Sequence, residues 1–283
     1  MTFKWALPLC VLLWMGWGGC TTLPSNAPAD RVVTLTEQGK QVFFERNHSK
    51  ALELYSEALT MAPERAELWN GRGFIYNTLG RRSEAIADFK EALSRDPENL
   101  LYLTNLAAAY IESGDAAGAL PPLEKAVQIA PRSARALTHR GQAYLRLGRL
   151  EEALGDFNAA LAVDPQNARI YANRGVVLAR WQNYDAAAAD FDRAASLAPA
   201  MPEVYASRGM VRLLTGQFQS AVQDFQRART LGVESEEVQY NQAVAKGLVG
   251  DKEGALKDYQ SACRHGYQPA CRILASEPGG TAL

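Results

Sequence analysis

The 283-residue sequence has little histidine, little cysteine and no excess of either charge. Thirty basic and 31 acidic residues leave a net charge of −1, so no global field draws the chain toward nucleic acid. The three histidines, His48, His139 and His265, lie far apart, and none has a Cys or His at the spacing of a metal site. The sequence therefore predicts no metal site and no nucleic-acid partner.

The sequence also lacks the motifs of common catalytic sites. It contains no Ser-centred nucleophile elbow, and its scattered Asp and Glu fall on segments expected to be solvated helix faces. Recurrent Arg-Gly pairs could suggest a phosphate loop, but that motif needs a preceding strand and a third close glycine. We therefore expect no catalytic residues, no cofactor and no enzymatic activity.

A continuous apolar run occurs near the start of the chain, from Trp5 to Trp17, after the basic Lys4. Its 13 residues are too few to span a bilayer comfortably, but they suit the apolar region of an export signal. We predict that residues 1–19 form a signal peptide and that the rest of the chain lies outside the cytoplasm.

The residues after this run, Gly18, Gly19 and Cys20, resemble the lipobox of bacterial lipoproteins, in which cleavage occurs just before a lipid-bearing cysteine. Trp17 departs from that pattern, since lipoboxes usually have Leu or another aliphatic residue there. The resemblance implies attachment of a fatty acyl chain such as palmitate at Cys20. The alternatives are an ordinary secretory signal and an uncleaved membrane anchor.

The residues after Cys20 indicate where the chain is located and how it is connected to the membrane. Thr21 and Thr22 stand where lipoproteins retained in the inner membrane often carry Asp, so the resemblance implies the periplasmic face of the outer membrane. Residues 20–31 are rich in Pro, Ser, Thr and Ala, which is typical of a flexible tether.

A frame of 34 residues repeats along most of the chain. The stretch RGFIYNTLGRRSEAIADF begins at Arg72, and related stretches begin at Arg140, Arg174 and Arg208, at separations of 68, 34 and 34 residues. Extending the frame in both directions gives seven windows without a gap. They are 32–65, 66–99, 100–133, 134–167, 168–201, 202–235 and 236–269.

Small and large residues recur at fixed places in these windows. The twentieth and twenty-seventh residues are always Ala, at 51, 85, 119, 153, 187, 221 and 255 and at 58, 92, 126, 160, 194, 228 and 262. The eighth residue is Gly39, Gly73, Ala107, Gly141, Gly175, Gly209 or Ala243, and the twenty-fourth is Tyr55, Phe89, Leu123, Phe157, Phe191, Phe225 or Tyr259. Small side chains on one helical face let a neighbouring helix approach closely, and the large ones fill the remaining space.

Turn-forming residues mark the ends of the expected helices. Proline closes five windows, at Pro63, Pro97, Pro131, Pro165 and Pro199, and a glycine marks the turn inside five windows, at Gly80, Gly114, Gly148, Gly216 and Gly250. Pro121 and Pro122 fall inside the second helix of the third window, so we expect that helix to start late or to kink.

This pattern resembles the tetratricopeptide repeat, a pair of antiparallel helices of the same length. The matching positions in the second window are Trp69, Gly73, Tyr76, Ala85, Phe89, Ala92 and Pro97. The resemblance implies an all-α, right-handed solenoid of seven helix-turn-helix repeats over residues 32–269, with a capping helix and tail in 270–283. Stability must come from the interfaces between repeats, since one repeat cannot bury its own apolar face.

In such a hairpin the seventh and twenty-third residues of a window face one another. Four windows have Arg and Asp there, and we expect structural ion pairs rather than a catalytic site. The pairs are Arg72 with Asp88, Arg140 with Asp156, Arg174 with Asp190, and Arg208 with Asp224. The two windows with Leu54 or Pro122 in place of Asp also lack the Arg, so the pair is present or absent as a unit.

The resemblance assigns an inner binding surface to the first helix of each repeat. In the fourth and fifth windows we assign seven residues to this surface, and none of them is acidic. They are Arg135, His139, Gln142, Arg146, Arg169, Asn173 and Arg180. Arginine-rich surface favours an acidic or carboxylate-ended peptide, although these arginines could instead be solvated helix charges. Met210, Leu213, Leu214 and Val244 would suit an apolar segment of a partner.

With Cys10 in the signal and Cys20 acylated, two cysteines remain, Cys263 and Cys271. The fragment ACRHGYQPAC resembles cysteine-paired Sel1-like repeats, in which this spacing joins consecutive helices. The resemblance implies a disulfide in an oxidising compartment, with two buried free thiols as the alternative.

These features together favour a non-catalytic scaffold that binds a peptide or helix of a partner protein. We expect it to be lipid-anchored at the bacterial outer membrane and to contact the membrane only through that anchor. The alternative is a soluble exported adaptor, or one anchored in the inner membrane, with the same binding mode.

Overall fold

The computed structural model describes residues 28–276, and in that range the chain is entirely helical. Fifteen helices and no strand occur among these residues. The helices are α1 Pro28–Phe44, α2 His48–Met61, α3 Ala66–Thr78, α4 Arg82–Arg95, α5 Leu100–Glu112, α6 Ala116–Ile129, α7 Ala134–Arg146, α8 Leu150–Val163, α9 Ala168–Arg180, α10 Tyr184–Leu197, α11 Pro202–Leu214, α12 Phe218–Thr230, α13 Glu236–Leu248, α14 Lys252–Arg264 and α15 Gln268–Ser276.

The helices form hairpins at the period of the sequence repeat. Helix α3 and each later first helix of a hairpin, up to α13, begin at the first residue of a window. The second helices, from α2 to α14, all begin at the seventeenth residue. The all-helical, helix-turn-helix architecture predicted from the 34-residue frame is therefore confirmed.

The chain divides into two compact units, Met1–Pro63 and Glu64–Leu283. The described part of the first unit is the hairpin α1–α2, and that of the second is six hairpins followed by α15. In the second unit each second helix packs on the first helix of the next hairpin, and successive first helices also contact one another. The helices α3, α5, α7, α9, α11 and α13 therefore share one face of this unit, which we call the inner face.

The ends of the helical region differ slightly from the sequence expectation. Helix α1 begins at Pro28, inside the segment 20–31 that was expected to be a tether. Proline suits a first helical position because its missing N–H would have no intrahelical acceptor there. Helix α15 begins at Gln268, two residues before the expected capping segment. Cys20 and the predicted signal peptide lie outside the described residues, as does the tail after residue 276.

Helix α6 contradicts one of the two expectations for its prolines, a late start, while a kink at Pro121 and Pro122 stays a prediction. It runs without interruption from Ala116 to Ile129, and Pro121 and Pro122 lie in its second turn. The Asp115 side chain caps the helix by accepting a hydrogen bond from the Gly118 N–H at 2.8 Å. This cap, with the buried side chains of Ala116, Ala119 and Leu123, keeps the first turns helical although the prolines donate no hydrogen bonds.

The turns inside the hairpins use the left-handed backbone conformation. Gly80, Gly114, Gly148, Gly216 and Gly250 have φ between 74° and 91°. In the first and fifth windows, Arg46 and Gln182 take this conformation instead, with φ of 62° and 60°. The turn geometry is therefore kept even where the sequence lacks the glycine, because the packing of the two helices requires it.

Five hairpins are closed by a close contact between a glycine and an aromatic ring. A Cβ atom added to Gly141 would lie 2.9 Å from Cε1 of Phe157, which is closer than carbon atoms can approach. The same contact recurs with Phe in the windows of Gly73, Gly175 and Gly209, and with Tyr55 at Gly39. The third window has Ala107 and Leu123 at these positions, and both are fully buried in one apolar cluster. In the third window the larger small residue thus accompanies a smaller partner, whereas the seventh window combines Ala243 with Tyr259.

This contact predicts a compensating pair of substitutions. Gly141→Ala should lower the free energy of unfolding by about 1 to 3 kcal/mol, since the added methyl group overpacks the contact with Phe157. Adding Phe157→Leu should make the double variant more stable than the sum of the single effects, because it recreates the pairing of the third window. Urea denaturation followed by circular dichroism measures these energies.

Gly155 provides the matched control for this experiment. It lies in α8, where an added Cβ would meet no atom within 4 Å, so Gly155→Ala should stabilise the helix by up to about 1 kcal/mol. The contact account would be wrong if Gly141→Ala left stability unchanged, or if Phe157→Leu gave no compensation.

Candidate functional site

The seven residues predicted for the binding surface lie on two adjacent helices of the inner face. Arg135, His139, Gln142 and Arg146 belong to α7, and Arg169, Asn173 and Arg180 belong to α9. Their spacings of three, four and seven residues place each set on one side of its helix. Helices α7 and α9 are in contact, so the structure brings the two sets together.

Four arginines of this surface, which we call the arginine patch, have no acidic partner in the part of the chain that the structure describes. Arg135, Arg146, Arg169 and Arg180 are all exposed. Arg135 Nη2 donates to Asn105 Oδ1 at 2.7 Å, and Arg180 Nη1 donates to the Leu145 carbonyl at 3.1 Å. Within residues 28–276 none of the four forms an ion pair, which leaves their charge available to a ligand.

A row of amides holds one end of the arginine patch. The Asn105 Nδ2 group donates to Asn70 Oδ1 at 2.8 Å, while its Oδ1 accepts from Arg135. Asn105 did not stand out in the sequence, although it is the sixth residue of its window, as His139 is of the next. The row fixes the Arg135 side chain in place without neutralising its charge.

His139 is neutral at pH 7 in this environment. Burial is the main cause of its lowered pKa, and the nearby charges of Arg135 and Arg169 lower the pKa further. The contact between His139 Nδ1 and Gln142 Oε1, at 3.3 Å, and the charge of Glu112 act in the opposite direction. His139 therefore supplies a polar surface between the arginines rather than a fifth charge.

Asn173 offers an unused hydrogen-bond donor on the same face. Its Nδ2 atom is buried and has no hydrogen-bond partner among the described residues. Buried amide groups in folded proteins are nearly always paired, so a donor left free between Arg169 and Arg180 is suited to a ligand acceptor.

An apolar recess of about 530 Å³ adjoins the arginine patch. Helices α9, α11 and α13 supply most of its lining, which includes Ala179, Ala206, Met210 and Leu214. Of the four apolar residues predicted to suit a partner, Met210 and Leu214 lie here, whereas Leu213 and Val244 do not line it. Arg180 lines the same recess and so belongs to both surfaces.

The four arginine–aspartate pairs lie in the hairpins where the repeated spacing places them. Each is bidentate; in one, Arg140 Nε and Nη2 donate to Asp156 at 2.8 and 2.7 Å. The other pairs are Arg72 with Asp88, Arg174 with Asp190 and Arg208 with Asp224. All four aspartates are buried, and the hydrogen bond to Asp156 is the main cause of the raised pKa of Arg140.

Two of these arginines also reach the preceding hairpin, a feature that the sequence analysis missed. Arg174 Nη1 donates to Asn158 Oδ1, and Arg208 Nη1 donates to Asp192 Oδ1, both at 2.7 Å. Asn158 and Asp192 are the twenty-fifth residues of their windows, so a correlation between that position and the next arginine could have revealed the contact. Each of these arginines therefore joins three helices.

The last hairpin pairs its aspartate with different cations. Gln242 replaces the arginine there, and Asp258 instead accepts from Lys246 Nζ at 2.7 Å and from Arg229 Nη1 at 3.4 Å. The buried carboxylate thus remains paired, as burial requires.

Cys263 and Cys271 form a disulfide, with their Cα atoms 4.8 Å apart. The bond joins α14 to α15 across a turn at Gly266, whose φ is 88°. It fastens the final short helix to the end of the second unit.

The helices and the metal-ligating side chain types of residues 28–276 bear on two other kinds of site. None of the helices there is both long and apolar enough to cross a membrane. No three His, Cys, Asp or Glu side chains in that range are grouped so that they could hold a metal ion.

Comparison with known families identifies the repeat. Models described as tetratricopeptide repeats match residues 66–99, 100–130 and 182–235, and a model described as a TPR repeat matches residues 141–180. No curated protein matches the sequence significantly. The repeat fold is typically a non-catalytic scaffold, and none of these models describes a catalytic family.

Solved structures share the same fold. A tetratricopeptide repeat protein from Parabacteroides merdae is 23% identical, covers 87% of this chain and 98% of its own, and has a TM-score of 0.69. PilF from Pseudomonas aeruginosa is 19% identical over 75% of this chain and 97% of its own, with a TM-score of 0.66. YrrB, described as a TPR protein with an unusual peptide-binding site, is 25% identical over 66% of this chain and 92% of its own, with a TM-score of 0.52.

Removing one partner of a bidentate pair should destabilise the protein more than replacing both partners. Asp156→Ala should lower the free energy of unfolding by about 3 kcal/mol, because it leaves the partly buried Arg140 charge without a partner. The double change Arg140→Leu with Asp156→Leu should cost less, since it removes both charges and adds apolar contacts. Thermal unfolding compares the two variants, with Glu151→Ala on the exposed side of α8 as a near-neutral control. Equal losses, or a larger loss in the double variant, would contradict the pairing.

Proposed function

Because the chain carries tetratricopeptide repeats, we propose that it is a non-catalytic scaffold that binds an acidic segment of a protein partner on its inner face. The observation that carries this proposal is the arginine patch of α7 and α9, four exposed arginines with no acidic partner in the described part of the chain. Proteins with these repeats generally mediate protein–protein interactions.

The chemistry of the patch favours carboxylates. An arginine presents a planar fork of donors that matches a carboxylate, and such charge-assisted bonds are stronger than neutral ones. Arg135 and Arg180 each donate a hydrogen bond, whereas the side chains of Arg146 and Arg169 form none within residues 28–276, so a ligand can bind these two without first breaking a contact. The free Nδ2 donor of Asn173 can in addition bind a backbone carbonyl of a peptide.

A peptide fits the patch better than nucleic acid does. The chain has a net charge of −1, and its free basic residues on the inner face form a short row rather than an extended stripe. The similarity to YrrB, whose description includes a peptide-binding site, supports the same class of ligand.

We also propose that the scaffold is held at the periplasmic face of the bacterial outer membrane by lipid on Cys20. The support comes from the apolar run that ends at Trp17, the Gly-Gly-Cys sequence that follows it, and the absence of Asp at residues 21 and 22. The disulfide between Cys263 and Cys271 fits an oxidising compartment outside the cytoplasm. Trp17 favours the alternative, a soluble exported or inner-membrane-anchored adaptor with the same binding mode.

Charge reversal in the arginine patch should change which peptides the protein selects. Random dodecapeptides displayed on phage should be enriched in Asp and Glu after selection on the wild type, and the enrichment should be lost on Arg146→Glu with Arg169→Glu. A selected acidic peptide should bind the variant about 10- to 100-fold more weakly, since two charge-assisted contacts become repulsive.

The matched control carries the same charge change outside the inner face. Lys125→Glu with Arg132→Glu alters α6 and the turn after it, and it should select the same acidic peptides as the wild type. Absence of acidic enrichment on the wild type, or the same enrichment on the patch variant, would refute the proposed function.

Labelling with radioactive palmitate tests the anchor separately. The wild type should incorporate label and sediment with membranes, whereas Cys20→Ala should incorporate none and be released. Cys10→Ala is the control and should keep the label, because Cys10 falls in the predicted signal peptide. Label retained on Cys20→Ala would exclude lipid attachment there.

A further inference from the structure

The apolar recess beside the arginine patch is lined by small residues of two first helices. Its floor includes Ala179 and Ala206, and the residue of α7 that corresponds to Ala179 is Leu145. The smaller side chain leaves a space between α9 and α11 that the bulkier leucine would fill. Small residues at these places therefore create a depression on the inner face.

The rim of the recess is apolar and exposed. Leu214 is 58% exposed, and Met210 is half-buried against the apolar cluster around Phe225. Exposed leucine next to a flexible methionine is suited to covering an apolar side chain of a ligand.

Charged residues at the two edges of the recess determine in which direction an acidic ligand lies across it. Arg180 lies at the edge next to the arginine patch, held there by its hydrogen bond to the Leu145 carbonyl. Glu237 lies among the lining residues from α13, on the other side. An acidic group would be attracted at the first edge and repelled at the second, so acidic and apolar parts of one ligand occupy neighbouring positions.

We propose that the partner segment has two parts: acidic residues that bind the arginine patch and, within a few residues of them, a large apolar side chain that binds the recess. This inference rests on the proposed function, because it describes the ligand of the same inner face. Arg180 connects the two parts, since it belongs to the patch and also lines the recess. Burial of the partner's apolar side chain in the recess supplies affinity, and the charges of the arginine patch position the partner segment.

The test uses fluorescein-labelled dodecapeptides of Ser and Gly that contain three aspartates and two leucines, separated by one serine. Both orders of the acidic and apolar parts are made, each with a version in which the leucines become serine and one in which the aspartates become asparagine. Fluorescence anisotropy with the full-length mature protein measures the affinities. In the better order, replacing the leucines should weaken binding to the wild type about tenfold, since it removes the buried apolar area.

A pair of matched variants assigns that effect to the recess. Met210→Gln with Leu214→Gln should reduce the cost of replacing the leucines to less than about twofold. Val244→Gln with Leu248→Gln changes the same two positions of the next hairpin, outside the recess lining, and should leave the tenfold cost intact. Ala206→Leu, which fills the recess instead of making it polar, is a second variant and should act as the first does. Circular dichroism verifies that each variant is folded.

The outcomes separate this inference from the proposed function. If the leucines contribute nothing on the wild type, or contribute equally on the recess variants, the inference is wrong. The arginine patch still stands as the site of an acidic segment in that case, provided that asparagine replacement and Arg146→Glu with Arg169→Glu both weaken binding. If neither of those changes matters, or if no aspartate–leucine peptide binds below about 1 mM, the proposed function fails and the inference fails with it.

Discussion

The close contact between a glycine of the first helix and an aromatic ring of the second sets the geometry of the hairpins. Where Gly141 meets Phe157, no Cβ atom can be accommodated, so the two helices have one distance and one register. The same contact in other windows gives the hairpins a common form, and the invariant buried alanines let the next hairpin approach. Equivalent window positions of the second unit therefore fall on the same inner face. Side chains at equivalent positions of neighbouring repeats can then form one binding surface that no single helix provides.

Arginine serves two separate purposes in this fold, and its partners distinguish them. Arg140 and Arg174 are held by buried aspartates, and Arg174 also reaches the preceding hairpin, so these side chains fix helices. On the same two helices, Arg146 and Arg169 are exposed and form no ion pair within residues 28–276. Charges that the fold has already neutralised cannot attract a ligand, whereas unpaired ones can. The proposed binding surface thus consists of arginines that the described part of the fold does not pair with an acid.

Periodicity predicted much of this structure because helix hairpins are built from local contacts. The positions of small residues, turn glycines and prolines were sufficient to place the first and second helices of each window. The late start predicted for α6 was wrong. The Asp115 cap and the buried Ala116, Ala119 and Leu123 outweigh the loss of the two hydrogen bonds that the prolines cannot donate. The recess and the contacts of Arg174 and Arg208 with the preceding hairpin were not foreseen. They depend on distances between hairpins, which residue spacing within one window does not specify.

Photo-crosslinking in living cells tests most directly whether the inner face is where a partner binds. A photoreactive amino acid would replace Gln142 or Ser207 on the inner face, or the exposed Ala162 on α8, a second helix. The account predicts crosslinks to a protein from the first two positions, with Asp or Glu near the crosslinked site of the partner, and none from Ala162. Crosslinks from Ala162 alone, or equal crosslinking from all three positions, would contradict it.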